Sequence, residues 1–217
     1  MTDPFPPGQP VCTLYLARHG QSKANVDKLF GLDTDLTEYG RQQTRELARV
    51  LAGIHVSAVF SSEMARAKET AEIIATERKL AVKTKALLRE KHWGSLEGKL
   101  KSDVRRDLAD LFERARAMSD STRIKHKVTP DMESEEEMMS RYVTVLREIA
   151  AAYREQSVLV ISHQTIMRTF LVHLGYVEYS QLPEGSISNT GYIKLLSDGI
   201  DFYVAETQGI SQSDGWF

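Results

Sequence analysis

The sequence predicts an α/β fold: a three-layer α/β/α sandwich with a mostly parallel central sheet and a small helical cap insert at about 95–130. Three observations carry this expectation. Short runs rich in β-branched and aromatic residues alternate with stretches of helical period, the pattern of parallel strands joined by crossover helices. The run SVLVIS at 157–162 is almost wholly apolar, which suits a central strand covered on both faces. Between Lys91 and Lys127 the chain turns basic, with ten Lys/Arg against six Asp/Glu, and this breaks the alternation. Residues 11–207 read as one domain, preceded by a flexible Pro/Gly-bearing arm at 1–10 and followed by a tail at 208–217.

The first strand is the apolar run from Val11 to Ala17, which stops at Arg18-His19-Gly20. Gly20 allows a turn where a side chain would hinder the approach of a ligand. The stretch DKLFGLDTDL then carries turn residues and reads as a loop over the site. Thr37 is an N-cap for a helix through GRQQTRELARVLAG, with Tyr39, Leu47, Val50 and Leu51 on its apolar face and Gly53 as its stop. VSAVFSS at 56–62 is the second strand, and Ser62 caps the helix that follows, with Arg66 near its positive end. VKTKALL suggests a third strand closing on Arg89-Glu90.

In the basic stretch, Val104, Leu108, Leu111 and Phe112 fall at the spacing of one amphipathic helix. Ser134 with Glu137 forms a capping box for a long helix at 135–155, whose buried stripe is Tyr142, Val145, Leu146 and Ile149. The strand at 157–162 delivers His163, and QTIMRTFLVHL is a helix stopped by Gly175. TGYIKLL and IDFYVAE are the last strands, joined at Asp198-Gly199, and Trp216 and Phe217 could dock the tail.

Composition removes several function classes. A net charge of −2 offers no field for nucleic acid or an anionic membrane, and no apolar run approaches the ~18 residues of a bilayer span. The N-terminal segment lacks the cationic and apolar regions of a secretory signal, and Cys12 stands alone as a small buried hydrophobe. A cytoplasmic, reducing compartment is expected. His55, His126 and His173 show no ligand spacing, so neither a metal nor any other cofactor is expected.

Arg18-His19, Ser61-Ser62, Glu90 and His163 all fall just after predicted strands. In parallel sheets ligands bind beyond the carboxyl ends of the strands, so these residues converge on one rim. Two imidazoles, two guanidiniums (Arg18, Arg66) and one carboxylic acid suit phosphoryl transfer, which is mostly positioning and stabilisation of charge on oxygen. His19 is the candidate nucleophile, and Arg18, Arg66 and a protonated His163 would grip the phosphoryl oxygens. Glu90, held protonated by an apolar and aromatic wall, would serve the leaving alkoxide and then the attacking water.

LARHGQSKAN, SSEMARAKETA, LREKHWGSLEG and VISH, in that order, resemble four motifs of the histidine phosphatase superfamily, the phosphoglycerate-mutase-like enzymes. The resemblance implies His19 as nucleophile, Glu90 as acid, and Arg18, Asn25, Arg66 and His163 around phosphate. It also implies a backbone contact to substrate at Gly31. A Leu-Thr-x-x-Gly segment, Leu36 to Gly40, matches a structural element. Two positions depart: Gln164 stands where a glycine commonly follows the second histidine, and Met132-Glu133-Ser134 replaces Gly-Glu-Ser. Gln164 narrows the pocket while its helix can still offer backbone N–H to phosphate.

The expected activity is hydrolysis of a small phosphorylated metabolite through a phosphohistidine. The alternatives are a cofactor-dependent mutase, whose Pro- and Trp-bearing insert is missing here, and a non-catalytic anion-binding or interaction module. A homodimer is compatible with the resemblance. Arg105 and Arg106 would hold a second anionic group on the substrate.

Overall fold

A computed structural model describes residues 5–6 and 8–212, so the arm's first four residues and the docking of Trp216 and Phe217 lie outside the described residues. Six strands form one sheet: β1 (Cys12–Arg18), β2 (Ala58–Ser61), β3 (Val82–Thr84), β4 (Ser157–Ser162), β5 (Ile187–Ser197) and β6 (Phe202–Ile210). Their order is β3-β2-β4-β1-β5-β6. β1 to β4 pair in parallel, and β5 and β6 are antiparallel additions on one side. The helices are α1 (Lys23–Val26), α2 (Glu38–Val50), α3 (Ala65–Glu77), α4 (Lys101–Asp107), α5 (Ala109–Ala117), α6 (Asp120–Arg123), α7 (Glu135–Ala152) and α8 (Gln164–His173). None of them is long and apolar enough to cross a membrane.

Strand alternation divides the core. Leu14 and Leu16 of β1, with Val158 and Val160 of β4, pack against Tyr142, Val145, Leu146 and Ile149 of α7 and Phe170 of α8. Tyr15, Ala17, Leu159 and Ile161 face the other way, onto Leu47 and Leu51 near α2 and Ala67, Ala71 and Ile74 of α3. Successive side chains point to opposite faces, so a continuously apolar strand feeds both layers. The α7 stripe is the one the sequence predicts, and the capping box is formed, with Glu137 N–H donating to Ser134 Oγ and Ser134 N–H donating to Glu137 Oε2. Each large apolar side chain buried there contributes about 1.5–3 kcal/mol by transfer alone. Cys12 is buried as expected, and desolvation pushes its thiol up to about 12.

Several local expectations are corrected. Tyr39 and Val50 are 58% and 47% exposed, so the inner face of α2 rests on Leu47, Ala48 and Thr44 instead. The third strand is only Val82–Thr84; a 3₁₀ turn at Ala86–Leu88 follows because it lets Leu88 enter the core while the residues before it stay outside. The basic stretch is broken at Leu108 into α4 and α5, with α6 beyond, and Leu111 stays outside the core. β6 continues to Ile210, so its pairing with β5 takes in the first residues expected to be tail. The helix expected to reach 155 ends at Ala152.

The insert packs on the loop after α1 through a small third cluster, Phe30, Leu96, Val104 and Met132, with Trp93, Leu108, Phe112 and Val128 packed against it. Met132, one of the two departures, is thus a packing residue.

Gly20 does not make room for a ligand: a Cβ there would sit 2.4 Å from Gly40 O. Reciprocally, a Cβ on Gly40 would lie 2.0 Å from Gln21 O. The loop after β1 and the first turn of α2 therefore touch backbone to backbone. Thr37 joins them, accepting from Gly40 N–H and donating to Gln21 Oε1. Gly40→Ala is expected to cost about 1–3 kcal/mol by overpacking. That lowers Tm by on the order of 3–10 °C in thermal unfolding, and an unchanged Tm would show that the loop can yield.

Candidate active site

Seven of the eight predicted residues, Arg18, His19, Asn25, Gly31, Arg66, Glu90 and Gln164, line one cleft of about 700 Å³ beyond the carboxyl ends of β1, β2 and β4. The eighth, His163, is fully buried beside it, its ring centroid 5.2 Å from that of His19.

His19 is fixed at both nitrogens. Its Nδ1 lies 2.6 Å from Gly20 O, and Arg66 Nε–H donates to its Nε2 over 3.0 Å. A carbonyl oxygen only accepts and a guanidinium only donates, so Nδ1 carries the proton and Nε2 the lone pair. Burial, then the Arg66 and Arg18 cations, hold the ring well below the ordinary histidine pKa. The imidazole is neutral, and its lone pair is on Nε2, where it accepts from Arg66. The backbone around it is pinned too: Asn189 Nδ2–H and Thr190 N–H both donate to His19 O, and His19 N–H donates to Ser162 O.

The guanidiniums are held from outside the cleft. Arg18 Nη1 donates to Ile187 O over 2.6 Å, and burial lowers its pKa to about 10. Arg66 Nη1 donates to Leu32 O and lies 3.4 Å from Asp33 Oδ1. Burial lowers Arg66 as well, opposed by Glu90 and Asp33. Arg66 sits on the second residue of α3, as the sequence predicts, but Ser62 is not the cap. α3 starts at Ala65, whose N–H donates to the Asp33 carboxylate. Ser62 Oγ is instead 2.7 Å from His163 Nε2.

His163 is not the protonated ring expected. Desolvation, then Arg66, His19 and Arg18, hold it well below the usual histidine range. Its Nδ1 and the Arg18 Nε are buried without a protein partner. Gln164 Nε2 is a third such donor, now at the rim of the cleft. Asn25 Oδ1 accepts from Ser22 N–H and Asn189 Nδ2–H, which leaves its amide N–H₂ for a ligand.

Glu90 is not against an apolar wall either. Its Oε1 accepts from Lys91 N–H and Ile166 N–H and its Oε2 from Thr165 N–H, all at 3.0–3.1 Å. Two of these donors belong to the first turn of α8, at the positive end of that helix. Arg141 donates to the carbonyls of Leu87, Arg89 and Glu90 and fixes this loop.

Sequence reasoning missed the remaining walls. Phe30 and Trp93, ring centroids 4.7 Å apart, form an apolar side, and Gly31 has φ +53 where a Cβ would meet Trp93 Cδ1 at 2.7 Å. Thr165, Lys101, Arg168 and Glu184 complete the cleft. Of the basic insert, Lys101 is the residue that lines it. Arg106 is 71% exposed and pairs with Asp103 and Asp107, and Arg105 pairs with Glu184. Lys101 was hidden among ten basic residues of the insert, and nothing in the motif Pro183-Glu184-Gly185 signals a cleft.

The arrangement presents a neutral imidazole, two buried guanidiniums and spare N–H donors around one point, which suits a tetrahedral oxyanion. Comparison with known proteins agrees. The family model described as "Histidine phosphatase superfamily (branch 1)" matches residues 14–207. Phosphoglycerate mutase-like protein 4 of Arabidopsis thaliana is 31% identical over 160 residues, 72% of this chain and 68% of that protein. Adenosylcobalamin/alpha-ribazole phosphatase of Escherichia coli is 27% identical over 163 residues, 74% of this chain and 78% of that one. In fold, the chain is similar to a phosphoglycerate mutase from Bacillus anthracis, with TM-score 0.81 and 24% identity, covering 93% of this chain and 94% of that one. The four ordered motifs, the sheet and the matched family model lead to one conclusion: this chain belongs to the histidine phosphatase superfamily.

Proposed function

We propose that the protein is a phosphomonoesterase that hydrolyses a small phosphorylated metabolite without a metal, through a phosphohistidine on His19. The observation that carries this reading is the fixed tautomer of His19, which aims an unprotonated Nε2 into a cleft bordered by two guanidiniums. Phosphatase names among the relatives support the same class.

In the first step the Arg66 Nε–H hydrogen bond passes from Nε2 to a phosphoryl oxygen, Nε2 attacks phosphorus, and the P–O bond to the alcohol breaks opposite it. Arg18, Arg66 and the Asn25 amide take the equatorial oxygens, joined by Gln164. As the ring becomes cationic, Gly20 O accepts from Nδ1–H and stabilises the charge. Glu90 gives a proton to the leaving alkoxide and then removes one from the water that cleaves the N–P bond. Oε2 is the oxygen suited to this, since Oε1 already accepts two N–H groups and Oε2 only one. His163 acts as a buried neighbour whose Nδ1 can meet a phosphoryl oxygen, while Ser62 holds Nε2.

His19→Ala is expected to reduce hydrolysis of para-nitrophenyl phosphate to background and to abolish acid-labile labelling by a ³²P-phosphoester. Labelling that survives would place the nucleophile elsewhere. Glu90→Gln should slow alkyl phosphates by on the order of 10²–10⁴ while sparing esters of good leaving groups; equal losses on both would assign Glu90 to binding. Wild-type turnover should persist in the presence of a chelator.

A downward-shifted histidine is neutral at every pH above its lowered pKa. At pH 6.5, where an ordinary ring is about half protonated, His19 and His163 should therefore both be neutral. Long-range ¹⁵N–¹H spectra would read this, with His19 in the Nδ1–H form; an imidazolium at either position would refute the tautomer assignment.

A further inference from the structure

The cleft holds a carboxylate that the phosphoryl chemistry does not use. Glu184 lies in the loop between the 3₁₀ turn at Tyr179–Gln181 and β5 and lines the cleft. Its Oε1 accepts from Lys101 Nζ over 2.7 Å, and its Oε2 pairs with Arg105 Nη2. Both cations belong to α4, so the pairs bridge the insert and the sheet domain at the wall of the cleft. Lys101 Nζ also stands 5.8 Å over the Phe30 ring, part of the apolar wall. Burial opposes the charge on Glu184, but the Lys101 hydrogen bond and the surrounding cations hold its carboxyl below the ordinary value.

The charge count of the cleft is informative. Its lining includes four permanent cations, Arg18, Arg66, Lys101 and Arg168, and two carboxylates, Glu90 and Glu184. With both histidines neutral, and with Glu90 counted as the acid that carries the proton for the leaving alkoxide, Glu184 is the one standing anion of that lining and brings the balance to +3, of which a phosphomonoester dianion takes up about two. Arg18 and Arg66 are the pair beside His19. Arg168 is turned onto the Leu182 carbonyl and the Tyr179 ring, and Lys101, the ammonium that a second anionic group would seek, is already occupied by Glu184. A substrate carboxylate or second phosphate would have to displace that carboxylate and leave it facing a like charge.

We infer that Glu184 is a specificity-determining residue: it turns the cleft away from substrates with a second anionic group and toward phosphomonoesters whose far end is neutral or cationic. This rests on the phosphomonoester reading of the cleft. It replaces the role given to Arg105 and Arg106 from sequence, because Arg105 is engaged by Glu184 and Arg106 lies outside.

The test compares two esters of the same size, glycerol 3-phosphate and 3-phosphoglycerate, which differ in a hydroxymethyl against a carboxylate. Dissociation constants are measured by calorimetry on the full chain carrying His19→Ala, so that hydrolysis does not interfere. The wild-type position 184 should favour glycerol 3-phosphate. Adding Glu184→Gln should shift the ratio toward 3-phosphoglycerate by on the order of tenfold. Adding Lys101→Met to Glu184→Gln should remove that gain, since the released ammonium is its source. A looser insert would weaken both esters alike, so an unchanged ratio overturns the proposal, as does a failure of both esters to bind. The phosphatase reading is judged separately, by para-nitrophenyl phosphate turnover in the unmodified protein.

Discussion

The site depends on one short hydrogen bond, from Nδ1–H of His19 to the carbonyl of Gly20. An imidazole has two nitrogens and one proton when neutral, so naming the protonated nitrogen names the nucleophilic one. The carbonyl can accept and nothing else, which makes the choice unambiguous. It also requires the chain after β1 to turn sharply enough to bring a backbone oxygen under its neighbouring ring. The backbone contact between Gly20 and Gly40 closes that turn against α2, and a methyl group on either glycine would occupy the same space. A structural segment at 36–40, remote in chemistry, thereby sets the ring's tautomer.

Around that ring the electrostatics are arranged before any ligand arrives. Arg18 and Arg66 are both buried, which is costly for a cation unless it is paired and hydrogen-bonded. Here the pairing is partial. Arg18 is held by the Ile187 carbonyl and Arg66 by Leu32 O and Asp33, while Arg18 Nε stays without a protein partner. Buried donors left unsatisfied are a reservoir of free energy that an oxyanion can release, and they need little reorganisation when charge develops. Burial first, and then the same positive field, hold both histidines below the ordinary histidine pKa. On the reading proposed above, one set of cations would both hold phosphate and help to keep His19 Nε2 free of a proton.

The fold was legible where one physical signal dominated. SVLVIS could only be a strand buried on both sides, and Ser134 with Glu137 announced α7 because capping chemistry is local. Residues delivered by strand ends, Arg18, His19 and His163, followed directly, since the topology fixes where those ends meet. Glu90 was found for a partly mistaken reason: the strand before it ends at Thr84, and a 3₁₀ turn carries the chain to the rim. What stayed hidden depends on contacts between distant segments. Ser62 read as a helix cap, which is its local preference, yet it bonds to a ring 101 positions away. Lys101 and Glu184 carry no local mark at all, because their meaning lies in facing each other. The environments of Glu90 and His163 were misjudged because burial and neighbouring charge cannot be read from spacing.

Among the described residues the buried apolar side chains fall into three clusters, and the smallest, around Phe30, Leu96, Val104 and Met132, joins the insert to the loop after α1. The two sheet cores hold β1 and β4, and with them His19 and His163, without drawing on that third cluster. The buried scaffold under the two histidines is therefore distinct from the outer wall of the cleft, which the insert shares with the Phe30 and Glu184 loops. A chain built this way can change its outer wall through many substitutions without disturbing the packing that holds the two histidines in place, so the wall of the cleft can diversify without endangering the scaffold.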